Sequence, residues 1–430
     1  MIHLSPRLPG RAPGDVRPSM KLFAVCAPGL EPFLTQEIKA LGLFPLATQT
    51  DAGEEGGGVE FEGELTDLYR ANLWLRTASR VLARLGEFPA VGFPELRRKA
   101  HNLPWERYLN SGESVTIRVT SHASKLYMKR VIARHVAEGI TERLGKPVRL
   151  SHAAEHREES PQTQETLHPS SAAHMNSAQS DTPLIVVRLL NDVCTISVDS
   201  SGEHLYRRGY KLAVAKAPLR ETLAAGMLLA AGWEGKSALL DPFCGSGTIP
   251  IEAALLGLAI PPGVMRSFRF QAWPGYDPNR WQELLRTAES HRQTTLAPIF
   301  ASDRDAGAIQ MSIANAERAG VAEFIQFSQR AVSSIELQFA EPQFARPPQG
   351  PGWVVTNPPY GVRVSQGKDL RNLYAQLGKV LRVKCPGWRV AMLGTDDRLF
   401  SATGLTWEPG ISLVNGGIQV RLALGQVTGF

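Results

Sequence analysis

The amino-acid sequence predicts an α/β protein: two small α/β units in the N-terminal half, then a Rossmann-like, doubly wound sheet. Three observations carry that expectation. Short apolar runs alternate with helical periodicity from Phe23 to Val198. From Ser200 onward, buried strands and helices alternate in longer βα units. Two unusual loops, DPFCGSGT at 241–248 and NPPYG at 357–361, each follow an apolar strand directly. Alternation of this kind specifies layered sheets and helices rather than a helical bundle.

The elements follow in order. Phe23 to Cys26 (FAVC) reads as a short strand, ended by Pro28-Gly29. Glu31 to Leu41 has helical spacing at Phe33, Leu34, Ile38 and Leu41, and Gly42 caps it. GGGVEF at 56–61 is a turn and a strand. Leu65 to Leu82 is predicted as one long amphipathic helix, because Leu68, Leu75 and Leu82 lie a heptad apart. Ala83 to Phe88 suits a strand. A second round has a helix from Pro94 to Leu109, a strand from Ser114 to Thr120 and a helix from Lys125 to Leu144. Leu184–Leu190 and Val193–Val198 then form a hairpin on Asn191-Asp192. Residues 152–183 interrupt this unit with Ser, Gln, Glu, His, Thr, Ala and Pro. So few large apolar groups cannot offset the entropy of ordering, and a disordered insertion is expected. Its histidines (His152, His156, His168 and His174) read as polar loop residues, not metal ligands. Residues 1–20 read as a loose tail.

The C-terminal half begins with a helix from Pro218 to Ala231 and a buried strand from Ser237 to Asp241. A helix from Ile249 to Leu258, a strand from Ile299 to Asp303 and a helix from Ala306 to Ala319 follow. Strands at Phe324–Ser328, Trp353–Thr356 and Trp388–Leu393 complete the alternation, with a helix at Leu370–Leu381. Ser412–Val414 and Ile418–Gly425 close as a hairpin on Asn415-Gly416-Gly417. In doubly wound sheets ligands sit at the carboxyl ends of the strands. Both unusual loops lie at such ends.

Composition narrows the class. The chain has 430 residues, 43% hydrophobic and 20% charged, which excludes a wholly disordered, collagen-like or disulfide-scaffold protein. Cys26, Cys194, Cys244 and Cys385 are scattered without metal-ligand spacing, so a reducing compartment and no metal are expected. No run is apolar and long enough to span a bilayer, and the N-terminus lacks the apolar core of a signal peptide. A cytoplasmic monomer without membrane contact is the expectation. Net charge is +6, and basic residues cluster between Arg97 and Arg149, Lys129 and Arg130 among them. Clustered positive charge suits a polyanion.

DPFCGSGT follows a buried strand and opens a helix. Gly245 and Gly247 let the backbone approach a ligand closely. The first helical turn offers unpaired N–H groups and partial positive charge to an anion, either a pyrophosphate or an amino-acid carboxylate. The loop is neither GxGxxG nor GxxxxGK[ST], so dinucleotide and P-loop readings are weak. Asp241 can take an α-amino group, and Asp303, ending the next strand, can bind a ribose diol. A glycine turn with two helix-capping aspartates is the bland alternative.

NPPYG is the most informative run. Pro358 and Pro359 have no N–H and rigidify the loop, which therefore presents acceptors. The Asn357 amide oxygen and the Pro358 carbonyl can accept both hydrogens of one NH2 group, and Tyr360 can stack on a flat ring. Two acceptors localise the nitrogen lone pair of a planar amine, and positioning opposite an electrophilic methyl supplies the rest.

With both loops in hand, the sequence resembles the class I S-adenosylmethionine-dependent methyltransferases that modify planar NH2 groups. More closely, it resembles the THUMP-domain RNA guanine-N2 methyltransferases of 23S rRNA and tRNA, over nearly the whole chain from Lys21. FAVCAPGLEPFLTQEIKALG and GGVEFEGELTDLYRANLWLRTASRVLARLGEF resemble that family's ferredoxin-like part, and 93–199 its THUMP module. VDSSGEHLYRRGYKLAVAKAPLRETLAAGMLLAAGW resembles its link into the catalytic domain, 200–430, with 21–92 as the ferredoxin-like domain. The resemblance implies a seven-stranded class I methyltransferase sheet with S-adenosylmethionine as cofactor. It implies that Asp241, Phe243, Gly245, Ser246, Gly247 and Thr248 hold the methionine part and Asp303 the ribose, with Thr222 touching the cofactor. It implies that Asn357, Pro358, Pro359 and Tyr360 hold the target amine, and that Arg207, Arg208 and Tyr210 meet RNA near the entrance. Ala331 stands where the family often has an acidic residue near the adenine amine, so adenine would be held by backbone or packing.

Three functions remain open at this stage. The first is methylation of guanine N2 in structured RNA, 23S rRNA favoured over tRNA. The second is the same chemistry on N6 of adenine or a protein glutamine amide. The third is a non-catalytic RNA-binding protein, against which the intact Asn357-Pro358-Pro359-Tyr360 run weighs.

Overall fold

A computed structural model describes residues 19–50, 57–151, 182–212, 219–337, 350–360 and 369–428. Of the expected tail, 1–20, and the expected insertion, 152–183, residues 1–18 and 152–181 with the histidines lie outside them. Met20 already lies on a strand, and the Pro183 carbonyl accepts the Thr116 N–H at 2.9 Å. The chain divides into two compact units that do not follow chain order. One comprises 1–81, 204–267 and 278–430; the other comprises 82–203 and 268–277.

The first unit opens with β1 (Met20–Cys26), α1 (Glu31–Ala40), β2 (Phe44–Gln49), β3 (Gly57–Gly63) and α2 (Leu65–Trp74). β3 pairs antiparallel with β1 on one side and β2 on the other. β2 is absent from the sequence expectation because its side chains are mostly exposed and show no apolar alternation. The long helix expected over 65–82 does not form. It stops at Trp74, Leu75 is extended, and β4 (Ala78–Pro89) begins. The cause is tertiary: the buried Glu37 carboxylate on α1 accepts the N–H groups of Arg76 at 2.7 Å and Thr77 at 3.0 Å, and the Thr77 hydroxyl as well. Those bonds hold the chain out of helical conformation, so Leu82 lands on a strand. The heptad was a coincidence of spacing.

The second unit contains α3 (Phe93–His101), β5 (Ser114–His122), α4 (Lys129–Leu144), β6 (Arg149–Leu150), β7 (Leu184–Leu190) and β8 (Val193–Asp199). From Leu82 onward β4 pairs antiparallel with β8, β8 with β7, while β5 runs parallel to both β7 and β6. The helix expected over 94–109 breaks before Pro104, and Trp105–Arg107 form a separate 3-10 turn; proline disfavours helix in the residue that precedes it. Asn191 and Asp192 adopt φ of 51° and 63°, as a two-residue hairpin loop requires.

The rest of the first unit is the doubly wound sheet. Its helices are α5 (Glu221–Ala231), α6 (Thr248–Gly257), α7 (Pro278–Ser290), α8 (Ala306–Arg318), α9 (Arg371–Lys384) and α10 (Asp397–Ala402). Its strands are β9 (Leu239–Asp241), β10 (Ile299–Asp303), β11 (Ile325–Gln329), β12 (Trp353–Thr356), β13 (Arg389–Gly394), β14 (Thr406–Trp407), β15 (Ile411–Asn415) and β16 (Ile418–Gln426). The order is β11-β10-β9-β12-β13-β16-β14, with β15 on β16. β9 to β13 are parallel, and β16 is antiparallel to β13. Strand order reverses between β9 and β12, the switch point at which such sheets bind ligands. Leu240, Val354, Tyr374, Leu377, Leu381 and Met392 form the core beneath it, with Phe243 packed against its edge. Among the described residues, no helix is long and apolar enough to cross a membrane, and no His/Cys/Asp/Glu group could hold a metal ion.

Candidate active site at the switch point

β9 and β12 are neighbours, so the two loops expected to carry chemistry leave the sheet side by side. The register places Val354 beside Leu240. Thr356, two residues past Val354, donates its hydroxyl at 2.7 Å to Oδ1 of Asp241, one residue past Leu240. The loops therefore share one edge of the sheet.

The first loop is held from several directions. Asp241 is 1% exposed, and its Oδ1 also accepts the Phe243 N–H at 3.2 Å. Burial pushes its carboxyl up to about 7 against those two bonds, and the charge of Asp303 pushes the same way. The Gly247 N–H closes a turn onto the Cys244 carbonyl at 2.8 Å. The Gly245 N–H donates to Asp303 Oδ2 at 3.1 Å, and Asp303 Oδ1 accepts the Asp305 N–H at 3.0 Å. Gly245 has φ of 52°, and a side chain there would point into open space. Gly247 has φ of 84°, and an added Cβ would come within 3.1 Å of Ser312. One glycine leaves the ligand side open; the other allows close approach of α8. Ser246 and Thr248 are buried, and Thr248 begins α6.

The second loop presents acceptors, as expected for its prolines. Asn357 Oδ1 is buried and has no hydrogen-bond partner among the described residues. Such an atom is costly unless something else satisfies it. The Pro359 carbonyl is occupied by the Tyr374 hydroxyl at 3.3 Å. Tyr360 is half-buried, its hydroxyl accepts Asn415 Nδ2 at 2.9 Å, and burial raises its pKa. The ring is thus anchored at its far end.

The other site candidates fall unevenly. Thr222 is buried in the first turn of α5, which packs on β12 and β13. Ala331 is exposed just past β11, and its carbonyl accepts from Ser334. Lys129 and Arg130 are exposed at the start of α4, and Arg207 is exposed. Arg208 and Tyr210 are corrections. They are 2% and 0% exposed, and both donate to Glu252 Oε1 on α6, at 3.4 and 3.1 Å. A buried arginine paired with a buried carboxylate cannot reach an RNA phosphate. Sequence reasoning also missed Ser312 and Asn315, which are wholly buried and donate to the Gly245 and Ser246 carbonyls at 2.7 and 3.0 Å. The available signal was Ser312 and Asn315, three apart in the mostly apolar stretch AIQMSIANA.

Buried Asp241, half-buried Asp303, open Gly245 and the orphaned oxygen of Asn357 fit a ligand carrying an ammonium and a ribose, set beside a planar amine. Sheet order and site together define a class I methyltransferase, the fold class whose methyl donor is S-adenosylmethionine. The RMKL-like methyltransferase domain matches residues 208–421, the RlmL ferredoxin-like domain 21–82 and the THUMP domain 91–154. A Synechocystis protein described as a candidate RNA methyltransferase is 33% identical over 93% of this chain and 95% of its own length. The ribosomal RNA large subunit methyltransferase K/L of Psychromonas ingrahamii is 33% identical over 94% of this chain; the chain spans about half the length of that relative, 50%. Among solved structures, a candidate methyltransferase complexed with S-adenosylhomocysteine is 26% identical, with a TM-score of 0.76 over 96% of this chain and 99% of its own. A Listeria monocytogenes chain described as a predicted N6-adenine-specific DNA methylase is 31% identical, with a TM-score of 0.76 over 96% and 97%. The chain belongs to the THUMP-containing class I methyltransferase family with an RlmL-type ferredoxin-like domain.

Proposed function

We propose that the protein methylates the exocyclic N2 amine of a guanosine in structured RNA, with 23S rRNA favoured over tRNA. The observation that carries this reading is the unpartnered, buried Asn357 Oδ1 one residue beyond the Thr356–Asp241 bond. An acceptor without a partner among the described residues suits an amine donor from a substrate. Because Tyr374 occupies the Pro359 carbonyl, the pair left to grip an NH2 group is Asn357 Oδ1 and the Pro358 carbonyl.

S-adenosylmethionine, when bound, supplies an electrophilic methyl group. The chain's residues do the rest. Ionised Asp241 takes the α-ammonium, Asp303 accepts from the ribose diol, and the start of α6 faces the carboxylate. Phe243, Gly245, Ser246, Gly247 and Thr248 shape that pocket. Asn357 and Pro358 draw on both hydrogens of the amine and localise its lone pair, while Tyr360 stacks on the base. The proton leaves after transfer, so no tuned general base is required.

A base within a helix cannot reach such a pocket, so the substrate is an unpaired or splayed guanosine. Lys129 and Arg130 grip phosphate. In place of Arg208 and Tyr210, the exposed Arg207 and Arg220 meet RNA, the latter over the Tyr206 ring at 5.0 Å. The name of the Listeria neighbour favours N6 of adenine as a second reading. Incubation of the protein with S-adenosylmethionine and unmodified rRNA or tRNA, followed by nucleoside mass spectrometry, separates the two. N2-methylguanosine is the expected product; N6-methyladenosine alone would replace the first reading with the second.

A further inference from the structure

The loop at 241–248 is gripped from its α8 side by donors that aim at carbonyls. Ser312 Oγ donates to the Gly245 carbonyl and Asn315 Nδ2 to the Ser246 carbonyl, from positions one helical turn apart. No cis peptide occurs among the described residues. In a trans peptide the C=O and the following N–H point in opposite directions. Drawing the Gly245 carbonyl toward α8 therefore turns the Ser246 N–H away from α8.

Asn315 does not stand alone. Arg318 donates one arm to Asn315 Oδ1, and its Nε donates to the Tyr210 carbonyl at 2.8 Å. The Tyr210 hydroxyl and the Arg208 guanidinium converge on Glu252 Oε1. Arg208 also donates to the Arg76 carbonyl, and the Arg76 guanidinium donates to the Ile260 carbonyl at 2.7 Å, just past α6. All of these residues belong to one compact unit. A polar chain thus runs from Arg76, beside the first β-strands, to the loop carbonyls. Arg76 Nε and Nη1 and Glu252 Oε2 have no hydrogen-bond partner among the described residues, so the bracing rests on the bonds named here, and each one lost would leave a further buried group unsatisfied.

The geometry points to Ser312 and Asn315 as positioning residues of the cofactor loop, braced through Arg318 by the Arg208–Tyr210 segment. This inference rests on the assignment of loop 241–248 to S-adenosylmethionine. It gives Arg208 and Tyr210 of the LYRRGY run an internal role in cofactor binding, while the exposed Arg207 keeps the surface role proposed above.

The test uses the full chain with Ser312→Ala, Asn315→Asp and Arg318→Ala. Asn315→Asp keeps the volume and the partner of Arg318 but cannot donate to the Ser246 carbonyl. Calorimetric titration with S-adenosylhomocysteine should show Kd weakened about tenfold for Ser312→Ala and Asn315→Asp, the worth of one buried hydrogen bond. KM for S-adenosylmethionine should rise in parallel, with kcat at saturating cofactor and RNA Kd within about twofold of the parent, a difference too small to reflect a missing hydrogen bond. Arg318→Ala should weaken Kd in the same direction. A purely structural role would reduce binding stoichiometry while the folded fraction kept its Kd; Ile140→Val, a core change in the other compact unit, supplies that pattern for comparison. Unchanged Kd in both Ser312→Ala and Asn315→Asp overturns the inference while leaving the cofactor assignment standing. Absence of binding by the parent protein overturns the cofactor assignment itself.

Discussion

The Thr356 hydroxyl donates to the Asp241 carboxylate across 2.7 Å, and both groups are buried. This single bond joins the strand that ends in NPPYG to the strand that ends in DPFCGSGT. It also supplies one of the two hydrogen bonds that Asp241 Oδ1 accepts.

Thr356→Val keeps the shape of the side chain and removes the donor. Leaving a buried acceptor short of one partner costs about 1–3 kcal/mol. Urea denaturation should show that loss, and the Asp241 pKa should rise further because one of the bonds that lowers it is gone. Unchanged stability would mean that the bond contributes nothing.

Asp241 makes the site pH-sensitive near neutrality. Its folded pKa of about 7 stands above the ordinary 3.8, so the folded protein holds a proton that the unfolded chain releases. The stability contributed by that proton is complete below the unfolded value and declines, by at most about 1.4 kcal/mol per pH unit, until pH passes about 7. Binding of an α-ammonium favours the ionised form, so affinity for S-adenosylhomocysteine should rise with pH up to about 7 and then level off. Asp241→Asn should flatten both profiles. A pH-independent Kd in the parent would remove Asp241 from the ammonium site.

Asn357→Ala deletes the orphaned acceptor but touches neither Asp241 nor the glycines. Methyl transfer should fall by about 10²–10³, as when one preorganised polar group is removed from an active site, while calorimetric affinity for S-adenosylhomocysteine is retained. Surviving turnover in single-turnover assays would contradict the assigned role.

Adjacent arginines should behave differently. Arg208→Ala removes the ion-pair partner of buried Glu252 and should cost about 3–5 kcal/mol of stability, seen as an early thermal transition. Arg207→Glu, at an exposed position, should leave the transition in place and weaken RNA binding in filter assays. If Arg208→Ala left the thermal transition unmoved, the buried pair would have no structural role.

Lys129→Glu combined with Arg130→Glu should weaken RNA binding across sequences and reduce the salt slope of log Kd by about two, one for each phosphate no longer neutralised. Affinity for the cofactor should stay as it was. An unchanged RNA Kd would place the phosphate grip elsewhere.

What the sequence settled by itself was local. Strand runs such as Leu184–Leu190 and Ile299–Asp303 are built on apolar stretches, LIVV and IFA, and their burial demand admits one reading. The loops at 241–248 and 357–361 were legible because glycine and proline restrict backbone geometry whatever surrounds them. The tertiary structure decided what depends on partners distant in the chain. Glu37 turned Leu75 and Arg76 out of a helix that their own spacing favoured. Glu252 drew Arg208 and Tyr210 inside, although arginine and tyrosine in a linker look like surface groups. Ser312 and Asn315 became the support of a loop more than sixty residues away. Periodicity reports how a residue sits relative to its neighbours in sequence. Whether a charge is solvated or paired depends on a fold that brings the partner carboxylate to it, and no local pattern encodes that distance.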